Sequence, residues 1–197
     1  MELSSSFARW YDFVMGPLER WKFQGIRKEL LEKASGKVLE LGSGTGINFP
    51  LYNQVDSVTA IEPNKYMIEQ SILKKEKSVV PMEIVHTGAE RLPFADGAFD
   101  SVVATLVFCT IPDVDKAVSE MKRVCKSDGK ILLFEHVKME NRFLAKLQDW
   151  LTPFWQKIGD GCCLNRDTIS LFKSHGFNLI EVRKFYKGLF IVVEMRK

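Results

Sequence analysis

The 197-residue sequence has no run of eighteen apolar residues, so its pattern predicts no transmembrane helix. Its first residues lack the basic-then-apolar order of a secretory signal, and we therefore expect a cytoplasmic protein. Excess charge is also small: a formal net charge of +3 does not indicate a nucleic-acid partner. The apolar content of 46% is enough for the core of a single domain, and no internal repeat or low-complexity segment is visible.

Cysteine is scarce as well. The four cysteines are Cys109, Cys125, Cys162 and Cys163, and none belongs to a C-x-x-C pair. A vicinal pair rarely forms a disulfide, so reduced thiols are the simplest expectation. The spacing of cysteine and histidine does not match that of a zinc site, and we expect neither a bound metal nor a nucleophilic cysteine.

A glycine-rich segment is the clearest functional signal. Residues 38–46 read VLELGSGTG, an apolar run followed by Gly42, Gly44 and Gly46. This order is typical of a buried strand that ends in a tight turn before a helix. Without a Cβ atom, these glycines allow positive φ angles and let a ligand approach the backbone N–H groups. The segment suits an anionic or carboxylate-bearing ligand, although a strand-to-helix turn without a ligand would have the same pattern.

An acidic residue after the next predicted strand strengthens the ligand interpretation. Glu62 follows a β-branched run at residues 57–61 and lies twenty residues after Gly42. An acid at this position of a nucleotide-binding α/β fold accepts hydrogen bonds from the ribose hydroxyls. The G-x-G-x-G spacing, with Glu40 two residues before it, favours S-adenosylmethionine over NAD. An NAD-linked oxidoreductase and a non-catalytic adenosyl-binding module are the alternative classes.

The order of elements predicts an α/β, Rossmann-like fold. Strands are expected at residues 38–41, 57–61, 82–86, 99–107 and 130–134, and helical patterns lie between most of them, including a short helix near 47–52. This alternation predicts a mostly parallel twisted sheet with helices on both faces, whose ligand lies beyond the carboxyl ends of the strands. Residues 177–183 and 189–193 are expected to form an antiparallel pair at the sheet edge.

We expect one domain over residues 1–197, with four parts. These are an N-terminal helical lid (1–34), a cofactor-binding core (35–136), an aromatic helical insertion lining the substrate pocket (137–165), and a C-terminal helix with an edge strand pair (166–197). The insertion carries an apolar stripe over residues 143–158 that includes Trp150 and Trp155. Three interpretations stay open for this stripe: buried core, a wall of the substrate pocket, or a face for peripheral membrane contact.

Taken together, these motifs resemble those of class I S-adenosylmethionine-dependent methyltransferases, from about Tyr11 to the end of the chain. ELGSGTG is similar to the first family motif, Glu62-Pro63-Asn64 to the second, residues 88–94 to the third, and Phe99-Asp100 with residues 105–107 to the fourth. Residues 135–137, 150–155 and 160–166 resemble the methyltransferase-like-7 branch, which methylates small thiols. Its mammalian members carry an N-terminal membrane anchor, and this sequence shows no such segment.

The resemblance implies S-adenosylmethionine as cofactor and S-adenosylhomocysteine as product. The cofactor-binding residues that it implies are Tyr11, Glu40, Gly42, Ser43, Gly44, Gly46, Asn48, Glu62, Pro63, Asn64, Met67, Gly88, Ala89, Glu90, Thr105, Leu106 and Val107. Glu40 and the glycine turn would hold the methionine end, Glu62 the ribose, and Ala89 and Glu90 the adenine. Related sequences often have Asp at the position of Gly88, so Glu90 or a backbone carbonyl would accept the adenine amino hydrogen.

The expected reaction moves a methyl group to a small lipophilic nucleophile, with a thiol as the leading candidate. The opening residues Tyr11-Asp12 and Gly16-Pro17 also resemble bacterial phospholipid and quinone methyltransferases, which are the alternative. A thiol must lose its proton before it attacks. His136 is the candidate base because an imidazole with a pKa of about 6.5 exchanges protons near neutral pH, although a structural histidine at a strand end is the other interpretation.

Overall fold

A computed structural model describes residues 22–159 and 161–197. Tyr11 and most of the expected N-terminal lid lie outside these ranges. Within them, no helix has the length and apolar character that crossing a bilayer requires.

The described residues form a seven-stranded sheet. Its strands are β1 (Lys37–Leu41), β2 (Ser57–Ile61), β3 (Met82–Val85), β4 (Phe99–Thr105), β5 (Cys125–His136), β6 (Asn178–Phe185) and β7 (Phe190–Arg196). The spatial order is β3-β2-β1-β4-β5-β7-β6, and the first five strands run parallel. β7 is antiparallel to both β5 and β6, which confirms the mostly parallel sheet with an antiparallel edge.

Helices connect the strands. They are α1 (Gln24–Leu31), α2 (Lys65–Glu76), α3 (Val114–Val124), α4 (Arg142–Ile158) and α5 (Thr168–Ser174), with short 3-10 turns at Phe49–Leu51 and Tyr186–Gly188. Four helices begin at an Asn or Asp whose side chain accepts a hydrogen bond from a first-turn N–H, namely Asn64, Asp113, Asn141 and Asp167. Such caps satisfy backbone donors that have no partner inside the helix.

Helices pack on both faces of the sheet. On one face, Met121 of α3 belongs to the same buried cluster as Val102 of β4. On the other face, Leu30 of α1 packs in a cluster with Val103 of β4 and Leu132 of β5. Because successive side chains of a strand point to opposite faces, β4 contributes to both clusters, and its central residues 102–104 are all apolar.

Several element boundaries differ from the expected ones. β4 ends at Thr105 instead of residue 107 because Leu106 takes a positive φ of 55° and turns the chain. β5 begins at Cys125, where it pairs with Phe99 before the register shifts. The expected helix near residues 47–52 is only the 3-10 turn at Phe49–Leu51.

Helix α4 lies with its apolar side outward. Phe143 is 85% exposed and Trp150 65%, and Leu147, Phe154 and Ile158 are also exposed. The interpretation of this stripe as buried core is therefore wrong.

Polar side chains attach α4 to the neighbouring segments. The Gln148 amide nitrogen donates to the backbone oxygens of Val137 (3.0 Å) and Leu164 (2.8 Å), and its oxygen accepts from Met139 N (2.8 Å). Thr152 is also buried on this side of the helix. A single buried amide thus attaches α4 at three points to the segments that precede and follow it.

Candidate functional site

The glycines of the turn after β1 have different surroundings, some closely packed and one open. Gly42, Gly44 and Gly46 have φ angles of 61°, 55° and 75°, a region that side chains with a Cβ rarely adopt. A Cβ at Gly42 would lie 2.1 Å from Val107 Cγ2, and one at Gly46 would lie 2.6 Å from Phe49. A Cβ at Gly44 would meet no atom within 4 Å. Gly42 and Gly46 are therefore required by internal packing, whereas Gly44 borders the space in which a ligand can approach.

The Glu62 carboxylate points at this turn. Glu62 is 6% exposed at the end of β2, its Oε2 accepts a hydrogen bond from Gly44 N (2.8 Å), and its Oε1 accepts one from Asn64 N (2.9 Å). A carboxylate can accept further hydrogen bonds at its remaining lone pairs. The acid expected to hold a ribose therefore lies beside the turn expected to hold the methionine end.

Glu40 lies at the centre of a buried polar network under the turn. The Asn48 amide donates to Glu40 Oε1 (2.9 Å) and to Thr105 Oγ1 (2.9 Å). Arg27 of α1, also buried, donates to Asn48 Oδ1 (3.1 Å) and to Thr105 Oγ1 (2.6 Å). The network joins α1, β1, the glycine turn and the end of β4.

Sequence reasoning missed Arg27. A signal for it existed, since Arg27 lies three and four residues before Leu30 and Leu31 and so shares their buried helical face.

Burial raises the pKa of Glu40 to about 7, against the opposing effects of the Tyr52 hydroxyl, the Asn48 amide and the charge of Arg27. Tyr52 lies close without hydrogen-bond geometry: neither its oxygen nor Glu40 Oε2 has a hydrogen-bond partner among the described residues. A buried acceptor without a donor is costly. Glu40 is therefore suited to accept a hydrogen bond from a positively charged ligand group.

The residues expected around the adenine follow β2 and β3. Asn64 and Met67 are buried at the start of α2, while Pro63 is exposed. Ala89 is buried in the core. A Cβ at Gly88 would lie 2.8 Å from Glu90 Oε2, so the Glu90 carboxylate occupies the space beside the missing side chain. That Glu90 or a backbone carbonyl accepts the adenine amino hydrogen stays a prediction.

The loop after β4 is fixed by Glu135, whose role sequence reasoning did not assign. Glu135 of β5 is fully buried, and its Oε1 accepts from Val107 N (2.9 Å) and Phe108 N (3.1 Å). Leu106, at φ 55°, donates its N–H to Phe134 O (2.7 Å). Burial raises the pKa of Glu135 to about 7, against the two backbone hydrogen bonds. A buried acid thus holds the strained loop that was expected to line the cofactor.

His136, the candidate base, lies against a cysteine. Its Nε2 is 3.2 Å from Cys162 Sγ, and its Nδ1 is buried without a hydrogen-bond partner among the described residues. Burial disfavours the charged imidazole, but the hydrogen bond and charge of Cys162 and the charge of Glu135 outweigh it and raise the pKa of His136. Hydrogen bonds from Cys109 and His136 lower the pKa of Cys162 to about 5, against the effect of burial.

Cys109 completes this group. The ligand atoms of Cys109, His136 and Cys162 all lie within 4.8 Å of one another, a set that could hold a metal ion. The expectation that cysteine and histidine form no such set was based on local spacing. Cys109 lies 27 positions before His136, and Cys162 lies 26 positions after it, so the three meet only where the folded chain brings them together near the end of β5.

The structure brings several of the predicted segments together, and the roles of their residues stay predictions. The structure brings the turn after β1, Glu62 after β2, Thr105 to Val107 after β4, and the end of β5 together through the contacts above. Ser43 is also buried in the turn, where its N–H donates to Ile61 O (3.0 Å). Tyr11 lies outside the described residues.

Comparisons with known proteins agree with this geometry. A family model described as a methyltransferase domain matches residues 39–133. The human thiol S-methyltransferase TMT1B is 34% identical over 199 residues, covering 92% of this chain and 80% of that protein. A phosphatidylethanolamine N-methyltransferase from Cereibacter sphaeroides is 32% identical over 161 residues, covering 80% of this chain and 79% of its own.

A solved structure supports the fold. The structure of a S-adenosylmethionine-dependent methyltransferase from Aquifex aeolicus aligns with a TM-score of 0.69 at 19% identity, covering all of both chains. That likeness concerns the fold alone, whereas the identity to the human and bacterial enzymes extends over most of each sequence. The chain therefore belongs to the class I S-adenosylmethionine-dependent methyltransferases.

Proposed function

We propose that this methyltransferase moves the methyl group of S-adenosylmethionine to the sulfur of a small lipophilic thiol. The observation that carries the proposal is the likeness to the human thiol S-methyltransferase over 92% of the chain. Two features of the structure support it: an imidazole beside a thiol at the carboxyl end of β5, and a broad exposed apolar face on α4.

The described residues fit the cofactor. Glu40 Oε2 is a buried acceptor without a donor among the described residues, Gly44 borders open space, and the Glu62 carboxylate lies beside Gly44 N. Glu40 and the turn would hold the amino and carboxylate groups of the methionine end, and Glu62 would hold the ribose hydroxyls. When bound, S-adenosylmethionine supplies an electrophilic methyl group on a sulfonium, so the protein has only to orient and deprotonate the nucleophile.

The chain's own residues would carry out the remaining steps. Glu135 fixes the loop of Leu106 and Val107, which would line the reacting end of the cofactor and exclude water. We assign His136 to the generation of the thiolate. Its Nε2 faces Cys162 and its Nδ1 is enclosed, so it would act in concert with Cys162.

A panel of methyl acceptors tests the proposal. The purified full-length chain is incubated with methyl-labelled S-adenosylmethionine and, separately, with alkyl and aryl thiols, quinones and phosphatidylethanolamine vesicles. We expect label in the thioether product. Transfer to a quinone or to the lipid amine, with none to thiols, would replace the proposal by its alternative, and cofactor binding without any transfer would indicate an adenosyl-binding module.

His136→Ala tests the assigned role. Turnover should fall while calorimetry with S-adenosylmethionine gives the wild-type affinity, because His136 is not among the groups assigned to the cofactor. Exposed His86→Ala on the loop after β3 is the matched control. Wild-type turnover in His136→Ala would reject the role.

The apolar face of α4 suggests where a lipophilic substrate comes from. Phe143, Leu147, Trp150 and Phe154 are exposed on one side of the helix, and the basic residues Arg142, Lys146 and Lys157 are distributed along it. Asp149 is paired with Lys138 at 3.0 Å, which offsets its negative charge. An amphipathic helix of this composition suits the surface of an anionic membrane. We therefore assign α4 a peripheral contact with anionic lipid.

Co-sedimentation with phosphatidylserine-containing vesicles tests this contact. The Trp150→Ser/Phe154→Ser double variant should lose most of its bound fraction, while Ile180→Ser, which removes an exposed apolar residue on β6, should bind like the wild type. Equal binding by wild type and double variant would contradict the assignment.

A further inference from the structure

The cluster of Cys109, His136 and Cys162 consists of side chains that can bind a metal ion. These residues follow β4, end β5 and follow α4, respectively, and their donor atoms lie within 4.8 Å of one another. We propose that they bind one zinc ion and leave its fourth coordination position open for the sulfur of a thiol.

The distances are compatible with a single ion. Bond lengths of about 2.3 Å to sulfur and 2.0–2.1 Å to nitrogen put two ligand atoms of a tetrahedral zinc roughly 3.5–3.8 Å apart. His136 Nε2 and Cys162 Sγ are 3.2 Å apart, and no pair in the cluster exceeds 4.8 Å. These separations differ from those of a tetrahedral zinc by about 1 Å at most.

The backbone holds the two cysteine loops together independently of any ion. Cys163 N donates to Cys109 O at 2.9 Å, which ties the neighbour of one ligand to the other ligand. The Arg166 guanidinium donates to the backbone oxygens of Phe108 and Ile111, on both sides of Cys109. The three donors therefore approach one another on a frame that is already formed, which reduces the entropy cost of binding an ion.

The donor set selects the metal. Two thiolates and an imidazole favour zinc and other soft or borderline ions over magnesium and calcium, which prefer oxygen. Three protein ligands are typical of catalytic zinc sites, whose fourth position holds water or substrate. Cys109 is buried, whereas His136 and Cys162 are half-buried, so the cluster has a buried floor and a side that an ion can reach. Zinc binding would release to solvent the thiol proton of Cys109 and the proton that Cys162 and His136 share.

The open coordination position would bind the thiol substrate, and this part of the proposal rests on the proposed function. A thiol that coordinates zinc loses its proton to solvent and binds as thiolate. The sulfur lone pair then forms a bond to the methyl carbon, while the carbon–sulfonium electron pair returns to the sulfonium sulfur and leaves a neutral thioether. In this step His136 would contribute to forming the thiolate as a zinc ligand, in place of accepting the proton itself.

Cobalt binding tests the site without depending on turnover. The full-length chain, freed of metal and kept reduced, is titrated with Co²⁺ as a spectroscopic substitute for zinc. We expect one equivalent to bind with thiolate-to-cobalt charge-transfer bands, and Zn²⁺ to displace it. Cys109→Ser, Cys162→Ser and His136→Ala should each weaken binding by more than about 100-fold, since even changes outside the ligand set cost 10–100-fold. Cys163→Ser, beside a ligand but outside the cluster, is the matched control.

Two further measurements separate the outcomes. A small alkyl thiol should shift the cobalt bands, and an unchanged spectrum would reject the open position. Absence of stoichiometric binding, or wild-type binding by Cys109→Ser and Cys162→Ser, would overturn the site. If cobalt binds as expected but the zinc-loaded enzyme methylates no thiol, the proposed function fails and the metal site stands. If thiol methylation persists undiminished in Cys109→Ser/Cys162→Ser, zinc has no part in it.

Discussion

The backbone N–H of Gly44 donates a 2.8 Å hydrogen bond to Glu62 Oε2 and so joins the turn after β1 to the end of β2. Gly44 is the glycine of the turn at which a side chain would meet open space, and Glu62 is a nearly buried acid. The contact joins the two groups expected to hold the methionine end and the ribose of the cofactor.

Glu62→Gln tests the ribose assignment. The substitution keeps the size of the side chain but removes the charge that strengthens hydrogen bonds from two hydroxyls. Since hydrogen bonds to charged groups contribute about 1.5–3 kcal/mol, we expect the affinity for S-adenosylmethionine to fall roughly 10–100-fold in calorimetry. Glu83→Gln, an exposed acid on β3, is the control and should bind normally. Unchanged affinity in Glu62→Gln would remove Glu62 from the site.

Alanine substitutions at two glycines separate ligand contact from packing. The Cβ that Gly44→Ala adds would meet no atom within 4 Å, so the substitution adds only the strain of a positive φ. The free energy of unfolding should therefore fall by about 1 kcal/mol, while the affinity for S-adenosylmethionine falls steeply. The Cβ that Gly46→Ala adds would lie 2.6 Å from the Phe49 ring, so this variant should unfold at a clearly lower urea concentration than the wild type. Urea titration and calorimetry on both variants check this. Equal stability losses, or normal cofactor binding by Gly44→Ala, would contradict it.

Glu135→Gln should change how stability depends on pH. The pKa of Glu135 is raised from 4.5 to about 7, so the folded state binds its proton more tightly than the unfolded state does. Its contribution to stability is therefore lost as pH rises from 4.5 to about 7. Glutamine keeps an acceptor for Val107 and Phe108 without the charge. We expect a stability gain of up to about 3 kcal/mol at pH 8 that vanishes near pH 4.5.

Thermal or urea unfolding across this pH range measures the effect of Glu135→Gln. Glu83→Gln, exposed on β3, should leave the wild-type profile unchanged. Burial raises the pKa of Glu40 to about 7 as well, so a slope of the same sign should remain in the Glu135→Gln variant. A gain that is independent of pH would show that repacking, not charge, is responsible.

Gln148→Ala should loosen α4. It leaves the backbone oxygens of Val137 and Leu164 and the N–H of Met139 without their partner, and each unsatisfied buried group costs about 1–3 kcal/mol. We expect faster amide hydrogen exchange over Arg142–Ile158 with little change in the sheet. Lys146→Ala, exposed on the same helix, is the control. Unchanged exchange in Gln148→Ala would show that other contacts hold the helix.

Local patterns determined much of this protein. The positions of the strands along the chain, the glycine turn and the acid after β2 were predictable because turn chemistry and strand periodicity act over a few neighbouring residues. The apolar stripe of α4 was also visible, but its direction was not, since periodicity defines a face without saying what the face contacts. The structure turned the stripe outward and put Gln148 inside.

Only the tertiary structure decided which distant polar groups meet. Arg27 contacts Thr105 across 78 positions, Glu135 reaches back to Val107 across 28, and His136 meets Cys162 across 26. Nothing in the spacing of these residues predicts the contacts, because each depends on where whole strands and helices pack. The sequence by itself determined that a methyl donor could bind, through residues near one another in the chain. Packing at the carboxyl edge of the sheet decided which buried acids, thiols and imidazole surround that site.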